Sequence, residues 1–518
     1  MKFSNLISLQ VLGYLFIALI CSVFIYQAID FVPHDFANYY FGAKFLRIEN
    51  FNSSIYFPHI FNQEIAALGY KNIFVSYAPN TPFLAIFYYP FTFFSLAIAK
   101  FIFNVLSLGL FLYSLRNLIK TYQIKSIFLF LIPLVFFIPL RNNFLFGQVY
   151  LLLFFLLSEG FLAYKKERFL RMGIFWGIAI LLKVFPIILV GMLLFKKKFK
   201  PLFFLGLVSV FLLLFSIFIN GFEVWDFFFN TVLPKSGKGE IAGEFVQNYQ
   251  SMFMFLKYAF PTNTVGFLMV LLFFKLILLT LSYFITINES SQLKVFSFWI
   301  FVSILLSPYG STYSNLVLIF PLMFFIKEGT INFKNLLILL LFTGITFLPV
   351  LYFSKFNIPF SFPRLLLMLL LFFFFINENL LKINWRKSTV FIAPILITYF
   401  FFFIPKEETA TRQILSRNHV LAYNYTVKDG VLHYNYWNNN GENNQATSLQ
   451  IKSIDTMNIS LINNHIFYKN KQLTFGKDYK LKPAVINENQ LLYLSDAKKG
   501  IGFYSLVITP LDINNESE

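Results

Sequence analysis

The sequence predicts an α-helical polytopic membrane protein that ends in a small all-β domain. Of its 518 residues, 58% are hydrophobic, 75 are Phe and only 13% are charged. Apolar runs of about 20 residues recur through the first four fifths of the chain, and a helix of that length crosses a ~30 Å hydrocarbon core. After Pro405, Phe becomes scarce, Asn becomes abundant and short alternating segments begin. This composition excludes a soluble globular protein.

The net charge of +18 is explained by membrane topology and does not indicate a nucleic-acid partner. Residues 406–518 hold twelve Lys or Arg against eleven Asp or Glu, so almost all of the excess lies in the membrane portion. There the basic residues form short clusters beside apolar runs, as positive residues do on the cytoplasmic face. The single cysteine, Cys21, lies inside the first apolar run. It excludes a disulfide framework and a thiolate metal site.

The first membrane segment, residues 6–29, is too long for a secretory signal and lacks a small-residue cleavage site. A polar, aromatic outer loop is predicted for residues 30–80, and a connection of that length usually signals function. Asp35 lies a few residues beyond the first helix, where the membrane meets water. An ionisable group at that depth is either well solvated or functionally placed, and Asp35 could equally cap the first turn of a helix.

The next segments follow from prolines and charges. Residues 81–96 contain Pro82 and Pro90, which predicts a helix at the outer interface. Crossings are then predicted at residues 100–113 and 126–140, the second returning the chain to the outer face at Arg141, and at 149–164.

Residues 172–195 have basic clusters at both ends, and a single crossing would violate the positive-inside rule. A broken hairpin removes the conflict, with two short arms that meet near Lys183 because Pro186 interrupts the helix. Each arm would be roughly 17 Å long, so Lys183 is predicted at a tip that opens into a wet cavity on the outer side.

The remaining helices alternate in direction and give thirteen membrane segments, with the amino terminus inside and the carboxyl terminus outside. They are predicted at residues 201–219, 262–287, 294–307, 312–326, 336–353, 364–380 and 388–404. An outer loop, residues 220–261, interrupts them. Two domains result, 1–404 with both outer loops and 405–518. In the second, hairpins are predicted for residues 466–475 and 491–507.

The order of several short motifs resembles glycosyltransferase family 87, the polyprenyl-phosphate-mannose-dependent enzymes of the GT-C class. The resemblance covers roughly residues 5–330, and after Ser307-Pro308 the chain departs from it, with Tyr309-Gly310-Ser311-Thr312-Tyr313 where family members commonly carry Trp and His. The motifs are His34-Asp35-Phe36 with Tyr39-Tyr40, Tyr77-Ala78-Pro79, Gly147-Gln148, Gly173 to Gly177 leading to Lys183 and Pro186, and Gln250-Ser251.

The resemblance implies a GT-C-like domain that transfers a sugar, mannose by analogy, from a polyprenyl-phosphate donor to a hydroxyl at the extracytoplasmic face, with inversion. The acceptor would be a glycan or a lipid, the location the inner cell membrane, and neither a metal nor a separate cofactor is expected. Asp35 is the candidate general base, since one positioned carboxylate can take the acceptor proton. Lys183, or alternatively Arg141, would contact the donor phosphate. The other candidate substrate contacts are His34, Tyr39, Tyr40, Gln148 and Gln250.

Other interpretations stay open at this point. Lys183 could snorkel toward the interface along its own aliphatic stem. Gln148 could satisfy the backbone at a helix start, and His34 is expected to tune Asp35 or to be a plain loop residue. A transporter or glycolipid flippase is the main rival, because broken helices with a nearby charge are also a transporter device. A third possibility is a scaffold that presents the β domain without catalysis.

Overall fold

The structure is a computed structural model. It describes residues 3–32, 34–70, 73–240, 249–260, 264–327, 333–353, 355–376, 413–416, 421–438, 441–476, 478–497 and 499–511.

The helices alternate with short breaks through the first three quarters of the chain. They are α1 (Phe3–Ile29), α2 (His34–Arg47), α3 (Pro58–Ala67), α4 (Phe83–Tyr88), α5 (Leu96–Tyr122), α6 (Ile127–Val135), α7 (Phe137–Phe146), α8 (Tyr150–Lys165), α9 (Phe169–Leu182), α10 (Ile188–Phe195), α11 (Phe199–Asn220), α12 (Phe222–Phe227), α13 (Leu233–Gly237), α14 (Met252–Ala259), α15 (Thr264–Asn288), α16 (Gln292–Leu306), α17 (Ile319–Ile326), α18 (Phe333–Phe347), α19 (Val350–Phe353) and α20 (Pro363–Ile376).

The strands all follow the helices. They are β1 (Gln413–Ile414), β2 (Leu421–Lys428), β3 (Val431–Asn438), β4 (Gly441–Gln450), β5 (Ile454–Asp455), β6 (Ile459–Ile462), β7 (His465–Tyr468), β8 (Lys471–Gln472), β9 (Lys480–Ile486), β10 (Gln490–Ser495) and β11 (Ser505–Pro510).

The chain divides into two compact units. The first, the helical unit, comprises the described residues within Met1–Phe36, Thr81–Asn220 and Gln247–Ile404. The second, the outer-loop and β unit, comprises those within Ala37–Asn80, Gly221–Val246 and Pro405–Glu518. Parts of both predicted outer loops are thus grouped with the β-rich region, whereas the boundary between residues 404 and 405 stays a prediction.

Several apolar helices make this a membrane protein. In the described part of the chain, α1, α5, α11 and α15 contain spans that are long and apolar enough to cross a bilayer. The predicted segments at 6–29, 201–219 and 262–287 are confirmed as helices, and the one at 100–113 extends over the whole of Leu96–Tyr122. The total of thirteen stays a prediction, and the segment at 388–404 lies outside the described residues.

The crossing predicted as one helix at 126–140 is instead two helices, α6 and α7, that meet at 64°. Pro139 lacks the N–H that would bond the carbonyl of Val135 four residues earlier, so the helix cannot continue straight. Thr346 Oγ1 donates to that carbonyl instead. The bend is therefore stabilised by α18.

The polar, aromatic outer loop predicted for residues 30–80 contains several helical segments. It contains α2, a 3₁₀ turn at Ser53–Tyr56 and α3. Asn52 caps the 3₁₀ turn by accepting from the N–H of Ser54 at 2.8 Å. The buried Asn62 of α3 donates to the carbonyls of Pro58 and Val75, which ties the following segment to the helix.

The β-rich region contains both predicted hairpins, β10 with β11 and β7 with β8. In the second, the turn is two residues long and β8 begins at Lys471, within the four-residue turn that the sequence predicted. Its strands form a five-stranded sheet in the order β1-β11-β10-β9-β5 and two three-stranded sheets, β2-β3-β4 and β6-β7-β8. The abundance of Asn is partly explained by turns. Asn463, Asn464 and Asn470 have positive φ in two-residue hairpin loops, where Asn tolerates the left-handed conformation.

The outer-loop and β unit is stabilised where its three chain segments meet. The ring of Phe57 lies 4.9 Å from that of Tyr479, and His59 lies 5.4 Å from Tyr504. Lys235 of α13 forms a 3.1 Å ion pair with Asp496, whose side chain is fully buried. Because an apolar and ionic interface joins them, the loops and the β region form one unit.

Candidate functional site

Asp35 lies in the first turn of α2, directly after the residue that begins the helix. Its side chain is half-buried. A carboxylate in a first turn interacts favourably with the positive end of the helix dipole, which agrees with the capping interpretation. His34 begins α2, but its side chain lies outside the described part of the structure.

The next residue, Phe36, fixes the start of α2 in the helical unit. Its ring is fully buried and lies 5.9 Å from Tyr88 and 5.6 Å from Phe103. Gly147 adopts φ +64°, and a Cβ there would lie 2.6 Å from the Cβ of Phe36. Only glycine permits both this left-handed backbone and this close approach, so the turn between α7 and α8 holds the residue that adjoins Asp35.

The predicted break in residues 172–195 is confirmed and lies at Lys183. Helix α9 ends at Leu182, Lys183 has extended backbone, and a 3₁₀ turn at Phe185–Ile187 contains Pro186 before α10 begins. The freed carbonyl of Leu181 accepts a hydrogen bond from Thr81 Oγ1. Lys183 is half-buried, so its ammonium group is placed by a helix end rather than by a flexible loop.

Tyr150 lies beside the Lys183 break and interacts with tyrosines from two other parts of the helical unit, Tyr249 and Tyr313. The ring of Tyr150, at the start of α8, lies 6.2 Å from Phe185 and 5.5 Å from Tyr313. Tyr249 precedes α14 and its ring lies 5.5 Å from Tyr309. Asn143 Nδ2 donates to the carbonyl of Tyr313 at 3.1 Å, which joins α7 to this group.

Asp35 interacts electrostatically with four of these groups: the Lys183 ammonium and the hydroxyls of Tyr150, Tyr249 and Tyr313. Burial, with the Asp35 carboxylate adding to it, raises the pKa of Tyr249 to about 12. Its hydroxyl therefore stays protonated at neutral pH and can donate a hydrogen bond. One carboxylate, one ammonium group and three phenol hydroxyls thus interact in a single region, which we call the Asp35 cluster.

Gln250 and Ser251 directly follow Tyr249 in the chain. Gln250 is buried and donates from Nε2 to the carbonyl of Ser361 at 3.2 Å. Its Oε1 is buried and has no hydrogen-bond donor among the described residues. Ser251 Oγ donates to the carbonyl of Pro308 at 2.8 Å, and a Cβ at Gly310 would meet the Gln250 backbone at 2.7 Å. The loop before α14 is therefore packed tightly on the stretch that follows Pro308.

The other predicted contacts lie in different settings. Arg141, on α7, donates to Gln27 Oε1 at a long 3.4 Å. Gln148 is buried in the turn after Gly147. Tyr39 and Tyr40 are each about 1% exposed in the outer-loop and β unit, so in this structure they are packed. Their assignment as substrate contacts stays a prediction.

Sequence reasoning did not single out Tyr150 or Tyr313. Tyr150 stands two residues after Gln148, and Tyr313 lies in the stretch where the chain departs from the family pattern. That departure is the one sequence signal that could have pointed to Tyr313. It places tyrosines where family members commonly carry Trp and His, and Tyr313 interacts with Asp35. Among the described residues, no three His, Cys, Asp or Glu side chains are grouped so that they could hold a metal ion.

Comparison with known proteins identifies one match. No curated protein and no solved structure matched the chain. Residues 78–308 match the family model described as glycosyltransferase family 87. Asp35 precedes the matched stretch, whereas Tyr150, Lys183 and Gln250 lie within it. The resemblance predicted from the sequence is therefore confirmed over residues 78–308, and this membrane protein is similar there to the glycosyltransferases of family 87.

Proposed function

We propose that this protein is an integral-membrane glycosyltransferase that moves a sugar from a polyprenyl-phosphate donor to a hydroxyl acceptor at the extracytoplasmic face. The family match supports glycosyl transfer. The observation that carries the mechanism is the Asp35 cluster, in which one carboxylate and one ammonium group interact at the end of a broken helix. Mannose is the first donor sugar to test, because the family resemblance implies it.

In the proposed reaction, the acceptor hydroxyl attacks the anomeric carbon and transfers its proton to Asp35 as the new glycosidic bond forms. The bond between that carbon and the phosphate oxygen breaks, and its electron pair goes to the phosphate. Attack from the face opposite the leaving group inverts the anomeric configuration. A general base contributes about 10²- to 10⁴-fold to such a rate.

Lys183 is the proposed partner of the departing phosphate. Charge builds on the phosphate oxygen as the bond breaks, and an ammonium group nearby stabilises that charge more in the transition state than in the ground state. The half-buried position strengthens the interaction, because water screens it less. Arg141 is the second candidate for this role.

The polar side chains of Tyr249, Gln250 and Gln148, which we call the polar rim, are suited to hydrogen-bond a sugar. Tyr249 can donate a hydrogen bond, and the buried Oε1 of Gln250 is an acceptor that a sugar hydroxyl could satisfy. Gln148 is a further candidate for orienting a hydroxyl. A polar group that is buried without a partner costs free energy, so ligand binding at this rim would relieve that cost.

The test is transfer of radiolabelled sugar from polyprenyl-phosphate-mannose to endogenous acceptors, by membranes that contain the protein or its Asp35→Asn variant. Asp30→Asn is the matched control, since Asp30 is an exposed carboxylate five residues earlier. We expect Asp35→Asn to lose at least about 10²-fold in rate at unchanged protein level, and Asp30→Asn to retain activity.

Lys183→Gln should also lower the rate, and Lys183→Arg should restore part of it. The anomeric configuration of the product, determined by NMR, should be opposite to that of the donor. Full activity of Asp35→Asn would assign Asp35 to helix capping alone. If the unmodified protein transfers no label from any lipid-linked sugar but moves the lipid across vesicles, the flippase interpretation is correct.

A further inference from the structure

A second polar feature of the helical unit is an open cavity of about 400 Å³ that is lined by residues of α5, α8, α9 and the α8–α9 connection. Pockets of this size accommodate small ligands or lipid headgroups. Its lining residues include four basic side chains and one acidic side chain. They are Lys120, Lys166, Arg168, Arg171 and Glu159.

This basic cavity lies at the opposite end of α8 and α9 from the Asp35 cluster. Tyr150 begins α8, whereas Glu159 and Lys166 lie toward and just beyond its other end. Likewise, Lys183 follows the end of α9, whereas Arg168 and Arg171 lie at its start. The rise along α8 is about 22 Å, so the two features are separated by most of a hydrocarbon core.

The acidic residue does not cancel the positive charge of the cavity. Glu159 is buried and accepts hydrogen bonds from Asn117 at 2.8 Å and from Arg171 at 3.0 Å. This pairing neutralises the carboxylate and holds the Arg171 side chain in place. Lys120, Lys166 and Arg168 then supply three further positive charges, and no carboxylate in the described part of the chain forms an ion pair with them.

The four basic side chains of the cavity are exposed, as they would be in an ordinary positive-inside cluster. They nevertheless line one concavity, together with Tyr113, Asn117, Thr121 and the buried Leu162 and Ala163. Exposed basic groups around one concavity are accessible to a phosphate group from solvent or from a lipid headgroup.

We propose that this basic cavity binds phosphate, either in the headgroup of an anionic phospholipid or as the free ion. Lys and Arg side chains form charge-assisted hydrogen bonds to phosphate oxygens, and basic pockets between membrane helices bind anionic headgroups. The proposal is independent of sugar transfer, because no residue of the Asp35 cluster takes part.

The test uses the purified full-length protein in nanodiscs and in detergent. Binding of phosphatidylglycerol is measured by native mass spectrometry against phosphatidylcholine, and inorganic phosphate is titrated in a thermal-shift assay. The variant combines Lys120→Gln, Lys166→Gln and Arg168→Gln. Arg171 is left intact, because its loss would strand the buried Glu159.

The charge-matched control for the variant combines Lys197→Gln, Lys198→Gln and Lys200→Gln, three exposed lysines outside the cavity lining. We expect selective retention of phosphatidylglycerol, or a saturable shift with phosphate, and at least tenfold weaker binding in the cavity variant only. A response to lipid alone identifies a headgroup site, whereas a response to phosphate identifies a free-ion site. Equal binding of both lipids without a phosphate response, or equal losses in variant and control, would overturn the proposal.

Discussion

Replacing Gly147 by alanine tests how the position of Asp35 is set. Gly147 has φ +64°, and an added Cβ would lie 2.6 Å from the Cβ of Phe36. Both atoms are attached directly to the backbone, so neither can rotate away and the start of α2 must shift. The left-handed conformation costs an alanine about 1 kcal/mol. The overpacked contact adds about 1–3 kcal/mol.

The variant should therefore lose about 2–4 kcal/mol of stability. It should also lose activity, because a displacement of about 1 Å at a reacting group can cost about 10²-fold in rate. The assays are thermal unfolding in detergent and sugar transfer by membranes. Gly109→Ala is the matched control, since no atom lies within 4 Å of its added Cβ in α5. That change should leave stability unchanged or raise it by up to about 1 kcal/mol.

Two results would refute this reasoning. If Gly147→Ala unfolds at the temperature of the unmodified protein, the approach of Phe36 to the α7–α8 turn is not as tight as the structure shows. If it is destabilised but transfers sugar at the normal rate, the position of Asp35 does not depend on Phe36, and the proposed base is placed by other contacts.

The outer-loop and β unit gives two further predictions. Lys235→Met leaves the buried Asp496 carboxylate without its ion pair. Hydrogen exchange in β10 and β11 should therefore accelerate, as expected for a loss of about 3–5 kcal/mol of stability. The control is Lys238→Met at an exposed lysine, and equal exchange in both variants would contradict the assigned pair. Burial lowers the pKa of His59 to about 4 from 6.5. The folded state therefore binds the proton less readily than the unfolded state. The free energy of unfolding is highest above pH 6.5 and decreases as the pH drops, by about 2 kcal/mol between pH 7 and pH 5. Hydrogen exchange of α3 should show this loss, and His59→Gln should flatten it; an unchanged slope would exclude His59 as its source.

The sequence predicted those parts of the fold that depend on local pattern. Apolar length predicted the helices at 6–29 and 201–219, and the position of Pro186 between two basic clusters predicted the break at Lys183. The hairpins around residues 466–475 and 491–507 followed from alternation and turn residues. In each case the determining interaction is with the bilayer or within a few residues of the chain, so composition and spacing are sufficient.

The same local reasoning failed where distant contacts decide the conformation. It predicted one helix at 126–140, because a proline in an apolar run does not show whether another segment will supply a donor for the carbonyl that the proline leaves unbonded. The structure supplies that donor in Thr346, more than 200 residues later. For the polar, aromatic loop predicted at residues 30–80, local reasoning did not predict α3, whose Asn62 donates to the carbonyl of Val75 in the following segment.

For the candidate site, the sequence by itself determined the chemical groups and the tertiary structure decided which of them meet. Asp35 and Lys183 could be chosen from the sequence because a charge beside a membrane helix is costly unless it is solvated or used. Their interaction, and the presence of Tyr150, Tyr249 and Tyr313 beside them, depend on packing among α2, α8, α14 and the stretch after Pro308. Such packing is set by the fit of side chains that are far apart in the chain, and no local pattern records that fit.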